Sequence, residues 1–177
     1  MAASGQARQH PGAIAIESRS MQAPPGSVDC HAHVFDPTRF AYADARLYTP
    51  PPATVDDLLR MHESLGIEGA VLVQPSVYGT DNRCLLYAVR RYGPNARGVA
   101  VIDGSFSSSR IDDLYAAGIR GVRLNLEVSR NEDTSSALRQ LESTLDTLGA
   151  SPMLVQIYAA TNVLLACAPA LMASPKQ

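Results

Sequence analysis

The chain has no tryptophan, only three phenylalanines, and three cysteines, Cys30, Cys84 and Cys167, that lie far apart and in no CxxC spacing. An odd, scattered set of thiols excludes a disulfide framework and a thiolate zinc site, and it fits free cysteines in a reducing compartment. Charge is sparse as well: charged side chains make up 18% of the residues, and the formal net charge is -2. Such a balance supplies no electrostatic reason for binding nucleic acid or an anionic membrane. The N-terminus lacks a charged-then-apolar signal segment, so a cytoplasmic location is expected. There is no Gly-rich phosphate loop, no serine nucleophile elbow and no Cys/His pairing spaced for thiol catalysis. The longest apolar stretch, 153–173, is broken by Gln156, Asn162 and Pro169. A bilayer span needs about 20 predominantly apolar residues, so a buried strand followed by a buried helix explains this stretch better.

What is present is a repeating pattern. Residues 1–27 are rich in Ala, Ser, Gly, Gln and Pro without periodicity and read as a flexible leader, with Met21 as an alternative start. His10 falls in that leader. From residue 28 onward short apolar runs alternate with helical segments. Strands are expected at 28–31, 70–73, 98–102, 121–124 and 153–157, and helices at 54–66, 81–92, 109–117, 134–148 and 162–171. Thr54 caps the first helix, Asp56 and Asp57 suit its positive end, and Gly66 stops it. His62 is expected in the solvated stripe of that helix. Strict strand–helix alternation implies parallel strands with right-handed crossovers. A doubly wound sheet and a (β/α)8 barrel both fit, and in either the ligand sits past the C-terminal strand ends.

Those ends are polar. His31 and His33, at i and i+2 on the first strand, share a face and can converge on one point, either as metal ligands or as donors to a developing oxyanion. After the second strand come Gln74, Ser76, Thr80, Asp81 and Asn82, near a helix N-terminus that favours anions or is simply capped by Thr80 or Asp81. Arg123 interrupts the apolar fourth strand, with Asn125 and then Arg130 beyond it. A guanidinium there needs a salt-bridge partner or a carboxylated ligand. Gln156 and Tyr158 share a face of the fifth strand, and Tyr48 lies in the long loop from 36 to 53.

The segments Val28-Asp29-Cys30-His31-Ala32-His33-Val34-Phe35-Asp36, Val73-Gln74-Pro75-Ser76-Val77-Tyr78-Gly79, Arg120-Gly121-Val122-Arg123-Leu124-Asn125 and Val155-Gln156-Ile157-Tyr158-Ala159 resemble the amidohydrolase-related family, closest to its 2-pyrone-4,6-dicarboxylate lactonase branch. The resemblance implies an α/β fold, a partial (β/α)8 TIM barrel of about five βα units, with 28–177 as an incomplete barrel domain. It implies hydrolysis of a small carboxylated lactone or a related ester or amide. His31 and His33 would polarise the scissile carbonyl without a cofactor, or would ligate a divalent metal, Zn or Mn, in metal-dependent branches that include decarboxylases. Ser76, Arg123, Arg130, Tyr158 and Tyr48 would hold the substrate's carboxylates and ring. The family's further histidine and water-activating aspartate lie on later strands, and neither Asp29 nor Asp103 matches that aspartate. The expected partner is therefore a small anionic metabolite, with no nucleic acid and no membrane. A truncated product, self-associating through open sheet edges, and a non-catalytic remnant with an anion-binding half-pocket are the accompanying expectations.

Overall fold

The computed structural model describes residues 22–126 and 134–174. His10, Met21 and Arg130 lie outside the described residues, as does most of the expected leader. Five strands alternate with five helices: β1 (Val28–Ala32), α1 (Val55–Leu65), β2 (Gly69–Val73), α2 (Arg83–Tyr92), β3 (Ala96–Ala100), α3 (Ser108–Ala116), β4 (Ile119–Asn125), α4 (Thr134–Leu148), β5 (Leu154–Tyr158) and α5 (Thr161–Ala173). The strands are ordered β1-β2-β3-β4-β5, every adjacent pair is parallel, and together they form a half-barrel. Consecutive parallel strands joined by single helices decide between the two expected architectures, because a doubly wound sheet would reverse its strand order.

Local chemistry sets the element ends. The Thr54 side chain accepts the Asp57 amide while the Asp57 carboxylate accepts the Thr54 amide, a reciprocal cap that starts α1. Gly66 ends it at φ 72°, the left-handed region that favours glycine. α2 begins at Arg83 rather than at residue 81, since the Asp81 carboxylate accepts the Arg83 amide and pairs with its guanidinium. β3 stops at Ala100 rather than Ile102. The Val101 N–H and C=O are taken by the buried Asn82 side chain, at 3.0 and 2.8 Å, instead of by a neighbouring strand. α5 contains Pro169 within its length. Residues 22–26, assigned above to the leader, hydrogen-bond to the end of α1 and its turn: Ala23 N–H donates to Leu65 and Gly26 N–H to the Glu68 carboxylate.

One face of the sheet, with Ala70, Leu72, Ala100, Val122 and Ile119, packs into the helices through Val55, Leu58, Leu85, Ala88, Ile111 and Leu114. Burial of these side chains supplies the main cohesive term, on the order of 1.5–3 kcal/mol for each large apolar side chain. A smaller cluster, Leu124, Leu126, Ala137, Leu141, Val163 and Cys167, joins α4 and α5 to the sheet. The other face carries Val73, Val99, Gly121 and Leu154 in one lateral row, with Arg123 beside Gln156 and then Asn125 beside Tyr158 towards the strand ends. β5 and α5 are less buried than their composition suggests: Leu154, Tyr158, Leu165 and Met172 are exposed. β5 pairs with β4 alone among the described residues. No helix among them is long and apolar enough to cross a membrane.

Candidate active site

β1 delivers the two imidazoles. His31 lies on the strand and His33 just past its end, and their rings meet edge to face with centroids 5.0 Å apart. The Nδ1 of His33 is 2.8 Å from the Val73 carbonyl at the end of β2. A carbonyl only accepts, so Nδ1 carries the hydrogen, and in the neutral ring Nε2 is left with its lone pair. Burial holds the His33 pKa below 6.5, and the nearby His31 and Arg123 push the same way, against the Val73 hydrogen bond. His33 is therefore a neutral imidazole near pH 7.

β4 and β5 supply the cation and its surroundings. Arg123 is half-buried, has no acidic partner among the described residues, and its Nε is buried without a hydrogen bond. Its Cζ stands 5.6 Å from the centre of the Tyr158 ring. Desolvation lowers its pKa, while Tyr48 and Tyr158 act in the other direction. Beside it, Asn125 Oδ1 and Gln156 Oε1 are also buried without partners. A buried polar atom left unpaired costs about 1–3 kcal/mol, so three of them on one patch mark a surface shaped for something other than stability.

The long loop leaves from a narrow base, where Phe35 and Ala53 form an antiparallel bridge, and the Ala43 N–H donates to the Val77 carbonyl in the turn after β2. Tyr78, buried, accepts the Asp36 N–H at 2.9 Å and stacks obliquely on Tyr42, 5.1 Å between centroids. Burial pushes the Tyr78 hydroxyl far above its ordinary range and keeps it neutral. This anchoring lets the half-exposed Tyr48 reach electrostatic range of Arg123. Ser76 opens the short 3-10 turn Ser76–Tyr78 after β2, on the same rim and half-buried, but no hydrogen bond ties its hydroxyl to the histidines or to Arg123. Gln74 shapes that turn: fully buried, its amide donates to the Gly79 and Asp81 carbonyls.

The expected residues His31, His33, Arg123, Tyr48 and Tyr158 thus come together at one end of the sheet, with Ser76 on the rim. His62 is a correction. It is 1% exposed, not solvated, and its ring joins Tyr92 and Asp29. The missed signal was its spacing, three residues past Leu59 and seven past Val55, on the buried face of α1. No cluster of three or more His, Cys, Asp or Glu among the described residues is arranged to hold a metal. His31 and His33 alone are an incomplete ligand set for a divalent metal.

The structure is thus a parallel βα half-barrel that carries, at its strand ends, two adjoining imidazoles and a guanidinium without an acidic partner among the described residues. The amidohydrolase family profile matches residues 28–167, and the chain belongs to that family. It is 42% identical over 103 residues to a 2-pyrone-4,6-dicarboxylate hydrolase of Comamonas testosteroni, covering 58% of this chain and 34% of that protein. It is 41% identical over 105 residues to a 4-sulfomuconolactone hydrolase of Rhizobium radiobacter, covering 59% and 35%. Among solved structures, a probable 2-pyrone-4,6-dicarboxylic acid hydrolase of Acinetobacter baumannii with citric acid bound superposes with a TM-score of 0.68 at 30% identity, over 85% of this chain and 56% of that one. The matches therefore span about a third of the curated relatives and 56% of the solved chain.

Proposed function

We propose that the protein hydrolyses a small carboxylated lactone, of the kind exemplified by 2-pyrone-4,6-dicarboxylate, without a metal. The observation that carries this reading is the half-buried Arg123, without an acidic partner among the described residues, beside the neutral His33 at the mouth of a parallel sheet. A guanidinium fork binds a carboxylate through two parallel hydrogen bonds, and Tyr48, Tyr158 and Ser76 border that place. Arg130 is assigned to the same anion on the resemblance alone. The relatives named for lactone hydrolysis and the citrate bound by the Acinetobacter protein support an anionic lactone as substrate.

The two imidazoles divide the work. His31 is exposed, so its ring N–H can donate to the lactone carbonyl and stabilise the oxyanion that forms. His33, its Nδ1–H spent on Val73, offers the Nε2 lone pair to a proton of the attacking water. Water adds to the carbonyl carbon, the ring C–O bond breaks, and the released oxygen takes up the proton. The test is loss of lactone absorbance on incubation with 2-pyrone-4,6-dicarboxylate, with and without EDTA. Turnover that survives chelation is expected. Absence of lactone hydrolysis would overturn the reading, and activity lost to EDTA and restored by Zn or Mn would replace its metal-free form.

A further inference from the structure

The imidazole pair hangs from a chain of side chains that leads away from the mouth into the helical layer. The Asp29 carboxylate accepts the backbone N–H of His31 through Oδ1 at 3.0 Å. Its Oδ2 lies 3.1 Å from Nε2 of His62, whose Nδ1 is 2.8 Å from the Tyr92 hydroxyl. A carboxylate only accepts, so Nε2 of His62 carries a hydrogen, and in the neutral ring Nδ1 accepts from Tyr92. Burial raises the Tyr92 pKa, with Asp29 adding to the effect, so the phenol keeps the hydrogen that it donates.

The chain meets β1 where β1 is irregular. Asp29 pairs with Ala70 and Ala32 with Leu72, so three steps along β1 answer two along β2. Such a bulge re-aims the side chains that follow and leaves a backbone group out of the ladder. Here the Asp29 carboxylate spans the bulge and takes the His31 amide. An apolar residue at 62 would match the stripe of Val55 and Leu58. A buried histidine held at both nitrogens has to be matched to its partners to avoid a desolvation cost.

We infer that Asp29, His62 and Tyr92 form a positioning relay that sets the β1 bulge and so aims the His31 and His33 rings at the mouth. None of the three reaches the reacting atoms. The inference rests on the proposal that these two imidazoles act on the substrate, and it adds positioning residues outside the pocket.

The variants D29A, D29N, H62F and Y92F of the full chain test it by long-range 1H–15N NMR of the histidine side chains, together with kcat and KM for the pyrone dicarboxylate. D29A and H62F are expected to move the His31 and His33 ring signals and to lower kcat about tenfold to a hundredfold. KM should stay within about threefold, since the anion is held across the mouth by Arg123 and not by the relay. D29N keeps an oxygen acceptor for the His31 amide and is expected to restore both the ring signals and kcat. Folded D29A with wild-type His31 and His33 signals would overturn the inference, as would D29N behaving like D29A. Where D29A or H62F fails to fold, Y92F decides, because it removes one oxygen: moved His31 signals support the relay and unmoved signals overturn it. Ring signals that move in a protein without lactone turnover would sink the proposed function while supporting the relay.

Discussion

The Nδ1 of His33 and the carbonyl oxygen of Val73 stand 2.8 Å apart, linking the end of β1 to the end of β2. The bond fixes the ring's orientation, and burial makes its protonation harder in the fold than in the unfolded chain. Below the unfolded value of 6.5, protons therefore favour unfolding. The stability contributed by neutral His33 is complete above that value and is lost as pH falls towards the depressed folded one. Denaturant titrations of the wild type and His33→Gln between about pH 5 and 8 should show the wild type losing more stability on acidification. Parallel curves would contradict this. The carboxyl of Asp57, held low by Thr54, acts in a separate window below its usual 3.8.

Arg123 has no carboxylate partner among the described residues to lose. Arg123→Gln should therefore leave the melting temperature unchanged or raise it, while KM for a dicarboxylate rises about ten- to a hundredfold. Arg123→Lys keeps the charge without the fork and should recover only part of the binding. Thermal melts and initial-rate kinetics on the same preparations separate the two effects.

Gly121 lies where β4 meets β5. A Cβ there would stand 2.7 Å from Leu154 Cδ1 and 3.2 Å from the Leu154 carbonyl. The side chain can turn aside but the backbone cannot, so Gly121→Ala should cost about 1–3 kcal/mol. Gly104→Ala, whose Cβ would meet only Ser143 Oγ at 3.7 Å, should be close to neutral. Equal denaturation midpoints for the two variants would refute the tight β4–β5 approach.

Thr54→Ala removes one arm of the reciprocal cap on α1 and should lower stability by about 1 kcal/mol, read from the denaturation midpoint. Thr54→Ser should restore most of it, because serine also offers an oxygen to the Asp57 amide.

Several features were legible because single residues carry them. Thr54 and Gly66 mark the ends of α1, the apolar run at 70–73 marks a strand covered on both faces, and the i, i+2 spacing of His31 and His33 places their rings together. Other features depend on partners remote in sequence. Asn82 ends β3 by capturing the backbone of Val101, nineteen residues on, and no local pattern announces that. His62 reads as solvated on polarity alone, although its spacing from Val55 and Leu58 puts it on the buried face; its partners, 30 and 33 residues away, make that burial tolerable. Met153–Ala173 reads as uniformly buried from composition, yet Leu165 and Met172 are exposed, because burial depends on which neighbours a segment has and not on its own apolar content.

The most direct measurement is calorimetric binding of 2-pyrone-4,6-dicarboxylate and of its uncharged diester to His33→Gln, which lacks the proposed water-activating base and so leaves the lactone intact, and to the double variant His33→Gln/Arg123→Gln. His33→Gln is expected to bind the dianion at least tenfold more tightly than the diester, roughly the contribution of one charged fork, and adding Arg123→Gln is expected to abolish this preference. Equal affinity for both compounds, or a preference that survives Arg123→Gln, would contradict the proposed role of Arg123.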